Sequence, residues 1–340
     1  MNTKIKKEEI KKSISELRFD LVSKDWVLIA TGRGKKPETF AKQERQKIET
    51  TEADCPFCHL ETQAPLVLEY KNPAGDWAVV IFPNKFPAFS QGPDSLHERA
   101  EGPYSLMDGV GYHEVVVTAD HRKSLAELPI EKVRQVIDAY QERYLELANE
   151  KFVNYISLFH NHGREAGASI AHPHSQIIAL PLIDPDLQRS LNGSRLFFEN
   201  NGECVHCKMI EWDREDGRRI IYENKEFVVE VPFAARVAFE VRIYPKEHHA
   251  YFERVKDQGK NLLADALRVA LNKIFKGLND PAYNFFLHTA PADGKDYGHY
   301  HWHFEILPKT AIWAGFELGT GIEISTVEPE AAAGYLREIR

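Results

Sequence analysis

No run of about 18 apolar residues occurs in the chain, which excludes a membrane-spanning helix as the reading of any segment. Positive charge is in deficit. Lys and Arg number 43 against 51 Asp and Glu, for a formal net charge of −8. That argues against a general nucleic-acid binder, which calls for a basic surface. It leaves room for one phosphorylated small molecule in a locally basic pocket. The opening stretch MNTKIKKEEIKKSISELRFD is charged and helix-like and lacks the apolar segment of a signal peptide, so a cytoplasmic protein is the expectation. Cysteine is scarce, with only four. They form two pairs, CPFC (Cys55, Cys58) and CVHC (Cys204, Cys207). In a reducing compartment such pairs read as metal half-sites or redox motifs rather than structural disulfides. A thioredoxin-like motif is disfavoured because neither pair is read at a strand-to-helix turn.

What the chain does have is core material and histidine. Hydrophobic residues make up 43% and aromatics 11% of 340 residues, enough for one large or two ordinary domains. Each cysteine pair needs two further ligands to close a tetrahedral zinc site, and both halves offer them in the same order. After the first pair come an extended segment DWAVVIFPNKFPAFS, a strand GYHEVVVTADH ending near His121, a helix PIEKVRQVIDAYQERYLELANE, a strand YISLFHN and then His172. After the second pair come EFVVEVPF, a strand AFEVRIYPKEHHAYFE ending near His248, a helix KNLLADALRVALNKIFKGL, a strand YNFFLHTAP and then YGHYHWHFEILP. Apolar residues recur at helical spacing in both helices. Fifty-one positions separate His121 from His172, and fifty-one separate His248 from His299.

This repeat predicts an α+β chain of two tandem units, each a mostly antiparallel sheet with a crossover helix. The boundary falls in the polar, turn-rich stretch near 185–203, giving domains 1–190 and 191–340. The spacing predicts two structural zinc sites: Cys55, Cys58, His121 and His172, then Cys204, Cys207, His248 and His299. His249 is the alternative to His248.

His172 and His174 lie two apart in GASIAHPHSQ, and residues two apart on a strand share a face. With His172 on metal, His174 is displaced along that face toward the loop NHGREAGAS. Asn161, Gly167 and Ser169 of that loop offer side chains and backbone N–H groups to an anion. A neutral imidazole beside a bound phosphate is a nucleophile for phosphorus. The bland alternative is a histidine that merely supports the metal site or faces solvent. Gln176, on the same face, offers an amide to a phosphoryl oxygen.

GASIAHPHSQ resembles the active-site motif of the galactose-1-phosphate uridylyltransferase family, a branch of the histidine-triad superfamily, which carries a serine three residues before H-P-H-x-Q. The matching positions are Ser169, His172, His174 and Gln176. CPFC and ADHRKSLAEL resemble the family's zinc segments. FPNKF resembles its nucleotide-contacting stretch (Asn84, Phe86), GRGKKP its basic phosphate loop (Arg33, Lys36), and AGFELGTG its sugar-contacting segment (Phe316, Glu317). The resemblance implies two histidine-triad-like units and ping-pong transfer of a nucleoside monophosphate through a covalent intermediate on His174. UDP-glucose is the expected donor, a hexose 1-phosphate such as galactose 1-phosphate the acceptor, and a homodimer the assembly, with the C-terminal segment completing the neighbour's pocket. No nucleic acid or membrane partner is implied.

Departures from the pattern keep other readings in play. The two cysteine pairs resemble the family's ADP-glucose phosphorylase-like branch as well as some prokaryotic uridylyltransferases, and GFELGTG is likewise shared with that branch. Lys36 stands where an arginine is common, and His160 stands where the family has a glutamate. The second half of the family also holds metal through histidines at the positions of His288, His301 and His303. A histidine-triad hydrolase is disfavoured by Gln176, where hydrolytic members carry a third histidine. The non-enzymatic alternative is a zinc-stabilised nucleotide-binding module. The histidines of HYHWH read as a structural strand with one zinc ligand, not a second active centre.

Overall fold

Ten strands join into one antiparallel sheet. The computed structural model describes residues 15–31, 37–42, 49–92 and 97–340. A hairpin of β1 (Glu16–Phe19) and β2 (Trp26–Ile29) precedes the short helix α1 (Pro37–Phe40). The first half then supplies β3 (Leu68–Lys71), β4 (Trp77–Pro83), the outlying hairpin β5 (Glu98–Glu101) and β6 (Tyr104–Met107), β7 (Tyr112–Thr118), α2 (Ile130–Leu147), β8 (Tyr155–His162) and β9 (His174–Leu180). Two helices follow, α3 (Pro185–Asn201) and α4 (Val205–Asp216). The second half supplies β10 (Ile220–Glu223), β11 (Phe227–Glu230), β12 (Val241–Pro245), α5 (Asp257–Gly277), β13 (Tyr283–His288) and β14 (His303–Pro308). The chain closes with α6 (Gly315–Thr320), β15 (Ile324–Ser325) and α7 (Pro329–Glu338).

The strand order is β10-β11-β12-β14-β13-β8-β9-β7-β4-β3. Read outward from the centre, both halves follow one plan. β7 and β8 both pair antiparallel to β9, so they run parallel to each other and need a crossover, which is α2. β12 and β13 flank β14 in the same way, joined by α5. The halves meet where Tyr283 pairs with His162 and Phe286 with Phe159.

The helices form where the apolar spacing predicts them. Val133, Val136, Ile137, Tyr140, Tyr144 and Leu147 of α2 are buried, as are Leu263, Leu267, Ala270, Leu271 and Ile274 of α5. Both stripes pack into a single apolar cluster that also takes Ile156, Ile177, Phe285 and Phe304 from the sheet. Each such aliphatic or Phe side chain contributes about 1.5–3 kcal/mol when buried.

One segment departs from expectation. The stretch at 185–203 is not a turn-rich linker but the helix α3. Asp184 caps its N-terminus by accepting from the N–H of Asp186 and Leu187, Pro185 occupies the first turn, and Leu187 and Leu191 face inward. Gly202 ends it in the left-handed conformation at φ +72°. Gly193 lies so close to the β1–β2 turn that a Cβ there would sit 1.8 Å from the Val22 carbonyl oxygen. The N-terminal stretch read as helix-like ends in strand β1, and residues 1–14 are outside the described residues.

Candidate functional site

Cys55 and Cys58 lie in a tight turn that the Cys58 N–H closes on the Cys55 carbonyl at 3.1 Å. His121 lies just past β7, where Asp120 Oδ1 accepts from the N–H of Arg122 and Lys123 and turns the chain. His172 stands two residues before β9. The four ligand atoms of Cys55, Cys58, His121 and His172 all lie within 4.8 Å of one another. Sγ to Nδ1 separations are 3.5 Å for Cys55–His172, 3.3 Å for Cys58–His121 and 3.6 Å for Cys58–His172. Two ligands at ordinary Zn–S and Zn–N bond lengths in a tetrahedron stand about 3.6 Å apart, so the cluster has the dimensions of a zinc site. The far side of each ring is tied down as a ligand requires: His121 Nε2 donates to the Thr50 carbonyl at 2.8 Å and His172 Nε2 to the Thr118 carbonyl at 2.7 Å. Burial holds His172 down to about 4, which keeps the ring neutral.

The second half repeats this arrangement with one change. Cys204, Cys207, His248 and His301 come together; His299 does not join them. Cys207 Sγ lies 3.4 Å from His248 Nδ1 and 3.5 Å from His301 Nδ1, while Cys204 Sγ lies 4.0 Å from His301 Nδ1. His248 Nε2 donates to the Gly298 carbonyl at 2.8 Å and His301 Nε2 to the Pro245 carbonyl at 2.9 Å. His249 lies instead beside Glu247. The expectation for His299 fails because the connection into β14 is two residues longer than its counterpart into β9. His299, His301 and His303 alternate, and matching the spacing picked the member one pleat too early. The pair CVHC also starts a helix that was not expected there: Cys204 is the N-cap of α4. A His301→Ala variant is expected to bind one metal equivalent fewer than the unaltered protein by metal analysis, and His299→Ala to bind as many.

His174 opens β9, and the residue is 8% exposed. Nδ1 lies 2.9 Å from the His172 carbonyl oxygen. A carbonyl only accepts, so Nδ1 carries the proton and Nε2 keeps its lone pair. Burial lowers the His174 pKa below the ordinary histidine value, against the raising effect of that hydrogen bond. The Phe57 ring meets the imidazole edge-on at 5.0 Å between centroids. The ligand histidine thus supplies, through its own carbonyl, the bond that sets the tautomer of its neighbour.

The loop before the pair is open. Gly163 and Gly167 take φ +80° and +90° around a 3₁₀ turn at Arg164–Ala166, a conformation that favours glycine. Gly167 and Ser169 are exposed. Asn161 Oδ1 accepts from Asn284 Nδ2 of the other half at 2.7 Å. Asn84 Oδ1 accepts from the Phe86 N–H, and the Phe86 ring is 82% exposed. Arg33 and Lys36 lie outside the described residues.

Phe316 and Glu317 lie in α6, where Glu317 accepts from the Ala314 N–H at 3.0 Å. Their neighbours Trp313, Thr320 and Gly321 line a cleft with His288, His303 and Glu305, on the side of the second half.

Four further histidines lie near these sites, and of them His113 carries no motif signal. His113 on β7 contacts Gln176 at 2.7 Å. His160, buried, bonds to Ser175 Oγ at 3.0 Å, and Ser175 in turn to Tyr140. His288 and His303, which the family resemblance places at metal positions with His301, group with Glu305 rather than with His301. Glu305 is bound by Arg236 and lies 3.5 Å from Arg242.

The fold and the histidine pair define a doubled histidine-triad-like α+β protein. Residues 4–183 match the profile of the galactose-1-phosphate uridyl transferase N-terminal domain, and 111–337 match a domain of unknown function. The chain is 32% identical to the ADP-glucose phosphorylase of Arabidopsis thaliana over 338 residues, covering 98% of this chain and 95% of that protein. It is 30% identical to the galactose-1-phosphate uridylyltransferase of Thermotoga maritima over 332 residues, covering 95% and 98%. The crystal structure of the Arabidopsis ADP-glucose phosphorylase with bound ADP-glucose superposes with a TM-score of 0.81 at 31% identity, covering 96% of this chain and all of that one. The chain belongs to the galactose-1-phosphate uridyl transferase family of transferase enzymes.

Proposed function

We propose that the protein exchanges a nucleoside monophosphate between a nucleotide sugar and a sugar 1-phosphate, with His174 as the nucleophile. The observation that carries this is the His174 tautomer: a buried ring, its pKa lowered by burial, with Nδ1–H held by the His172 carbonyl and Nε2 without a hydrogen-bond partner among the described residues. Nε2 forms a bond to the α-phosphorus of the donor. The bond from that phosphorus to the bridging oxygen breaks, and hexose 1-phosphate leaves with the oxygen. A phosphate oxygen of the acceptor then attacks the same phosphorus and releases Nε2. The Gln176 amide, the loop around Gly167 and Ser169, Asn161, and the Arg33 and Lys36 side chains bind and neutralise the phosphates, and Asn84 and Phe86 receive the nucleoside.

Zinc is the metal the Cys₂His₂ donor sets fit, at both clusters. Four protein ligands leave no open position, so the role is structural: zinc fixes the backbone at His172, from which His174 hangs. In the second half the residue matching Gln176 is Glu305, whose carboxylate opposes a phosphoryl group. This supports one active centre per chain. The repeat boundary is proposed near 190, inside α3. The protein is proposed to work in the cytoplasm, and as a homodimer, the latter since Ile312, Phe316 and Leu318 around α6 are exposed at 93%, 48% and 73% and α6 borders a cleft of the second half.

UDP-glucose is the proposed donor and galactose 1-phosphate the acceptor. The second reading, an ADP-sugar phosphorylase with inorganic phosphate as acceptor, is favoured by the full-length similarity to the Arabidopsis phosphorylase. Incubation with α-phosphate-labelled UDP-glucose or ADP-glucose, without acceptor, separates them. Label on the protein from the uridine donor alone supports the first reading, and label from the adenine donor alone supports the second. Release of free nucleoside monophosphate supports a hydrolase, and turnover of neither donor supports a binding module.

A further inference from the structure

His113 and Gln176 stand diagonally across the β7–β9 ladder, where Val115 pairs with Gln176 and His113 with Ile178. Directly opposed residues share a face, so the two side chains rise on the His174 side of the sheet, within reach of each other. Three atoms surround the His113 ring. Its Nδ1 lies 3.0 Å from the backbone nitrogen of Ala88. Its Nε2 lies 2.7 Å from Gln176 Oε1 and 3.1 Å from Asn84 Nδ2.

A backbone N–H cannot turn round, so its contact reads out the ring's tautomer. The Ala88 N–H donates, Nδ1 accepts, and the neutral ring carries its proton on Nε2. Nε2–H therefore donates to whatever oxygen it meets. Asn84 turns its Nδ2 and not its oxygen toward the ring, since its Oδ1 is held on the Phe86 N–H at 2.9 Å. The partner is the Gln176 oxygen at 2.7 Å. Gln176 is thereby held with its oxygen toward β7, and its NH₂ has no protein partner among the described residues. The amide cannot reverse without bringing two donors together.

We infer that His113 is a positioning residue for nucleotidyl transfer: it locks the Gln176 side-chain amide so that NH₂, not oxygen, faces the phosphoryl group attacked by His174. The inference rests on the function proposed above. It also ties the nucleotide-contacting segment to the reacting centre, because the Ala88 N–H and the Asn84 backbone both anchor on residue 113, the latter by its N–H to the His113 carbonyl at 2.8 Å. An unlocked amide spends part of its time with its oxygen against a phosphoryl oxygen, which repels the developing charge. The loss falls on the chemical step more than on binding.

The test is single-turnover labelling of the full-length, metal-loaded protein with whichever α-phosphate-labelled nucleotide sugar labels the unaltered protein. Gln176→Ala is expected to slow labelling on the order of 100-fold, the scale for losing one oriented donor. His113→Ala is expected to slow it by about 10-fold or more, with half-saturation shifted less than about threefold. At saturating donor the double variant is expected to label no more slowly than Gln176→Ala alone, because His113 reaches the chemical step through the amide. Multiplying effects in the double variant, an unimpaired His113→Ala, or loss of zinc from His113→Ala each overturn the inference. A readout independent of turnover is the nitrogen NMR of the His113 ring, assigned by comparison with His113→Gln. Protonation at Nε2 is expected, and a ring protonated at Nδ1 overturns the inference. If neither UDP-glucose nor ADP-glucose labels the unaltered protein, the proposed function itself fails, a result distinct from normal labelling in His113→Ala.

Discussion

His174→Gly is expected to lower transfer of labelled nucleoside monophosphate to the protein by at least about 10⁴-fold, the scale seen when a nucleophile is removed. Both zinc ions should remain bound. The ring is not among the four ligand atoms of the first cluster, and its Nδ1 bond goes to a backbone carbonyl that survives the substitution. Removing the buried ring should cost about 1–3 kcal/mol of stability, a modest shift in the melting temperature. Labelling and metal content therefore part company in this variant. If zinc and fold are lost together with labelling, His174 is a structural histidine and the nucleophile lies elsewhere.

Cys58→Ser should do the reverse. One of two zinc equivalents is lost, and the unfolding midpoint falls on the order of 10 °C, since the metal's binding free energy is folding free energy. Transfer should fall with it, because Cys58 Sγ lies within 3.6 Å of the Nδ1 of His172, and the His172 carbonyl sets the His174 tautomer. Cys207→Ser should lose one zinc equivalent too, with a comparable thermal shift, while its transfer rate drops less than about fivefold. Its cluster anchors β12 and the approach to β14, away from β9. The pair of variants is read by metal analysis, calorimetry and labelling. Equal losses of transfer in both would show that the first zinc has no special coupling to His174.

Much of this plan is written in the periodicity of the chain. The helical spacing from Val133 to Leu147 and from Leu263 to Ile274 marks both crossover helices, because each buries one stripe on the same side of the sheet. The convergence of Cys55, Cys58, His121 and His172 was legible because they sit at element ends that the pattern locates. The second was legible except for one ring. Three alternating histidines read alike in the sequence, and only the length of the connection, a tertiary quantity, selects His301. Helices α3 and α4 were missed for their polar composition, although Asp184, Pro185 and Gly202 are start and stop signals in plain sight. The role of His113 is not legible at all. It depends on a diagonal contact 63 positions away in sequence and on the direction of one N–H.

The ladder between β8 and β13 makes each half the other's permanent companion. Two separate identical subunits meeting at that seam would be bound by symmetry to keep the same side chains on both sides. Carried on one chain, the copies are free to specialise. One keeps an open glycine turn and an amide beside its second histidine. The other has put an arginine-bound carboxylate in the amide's place, and keeps the Cys/His cluster at the same point of its fold.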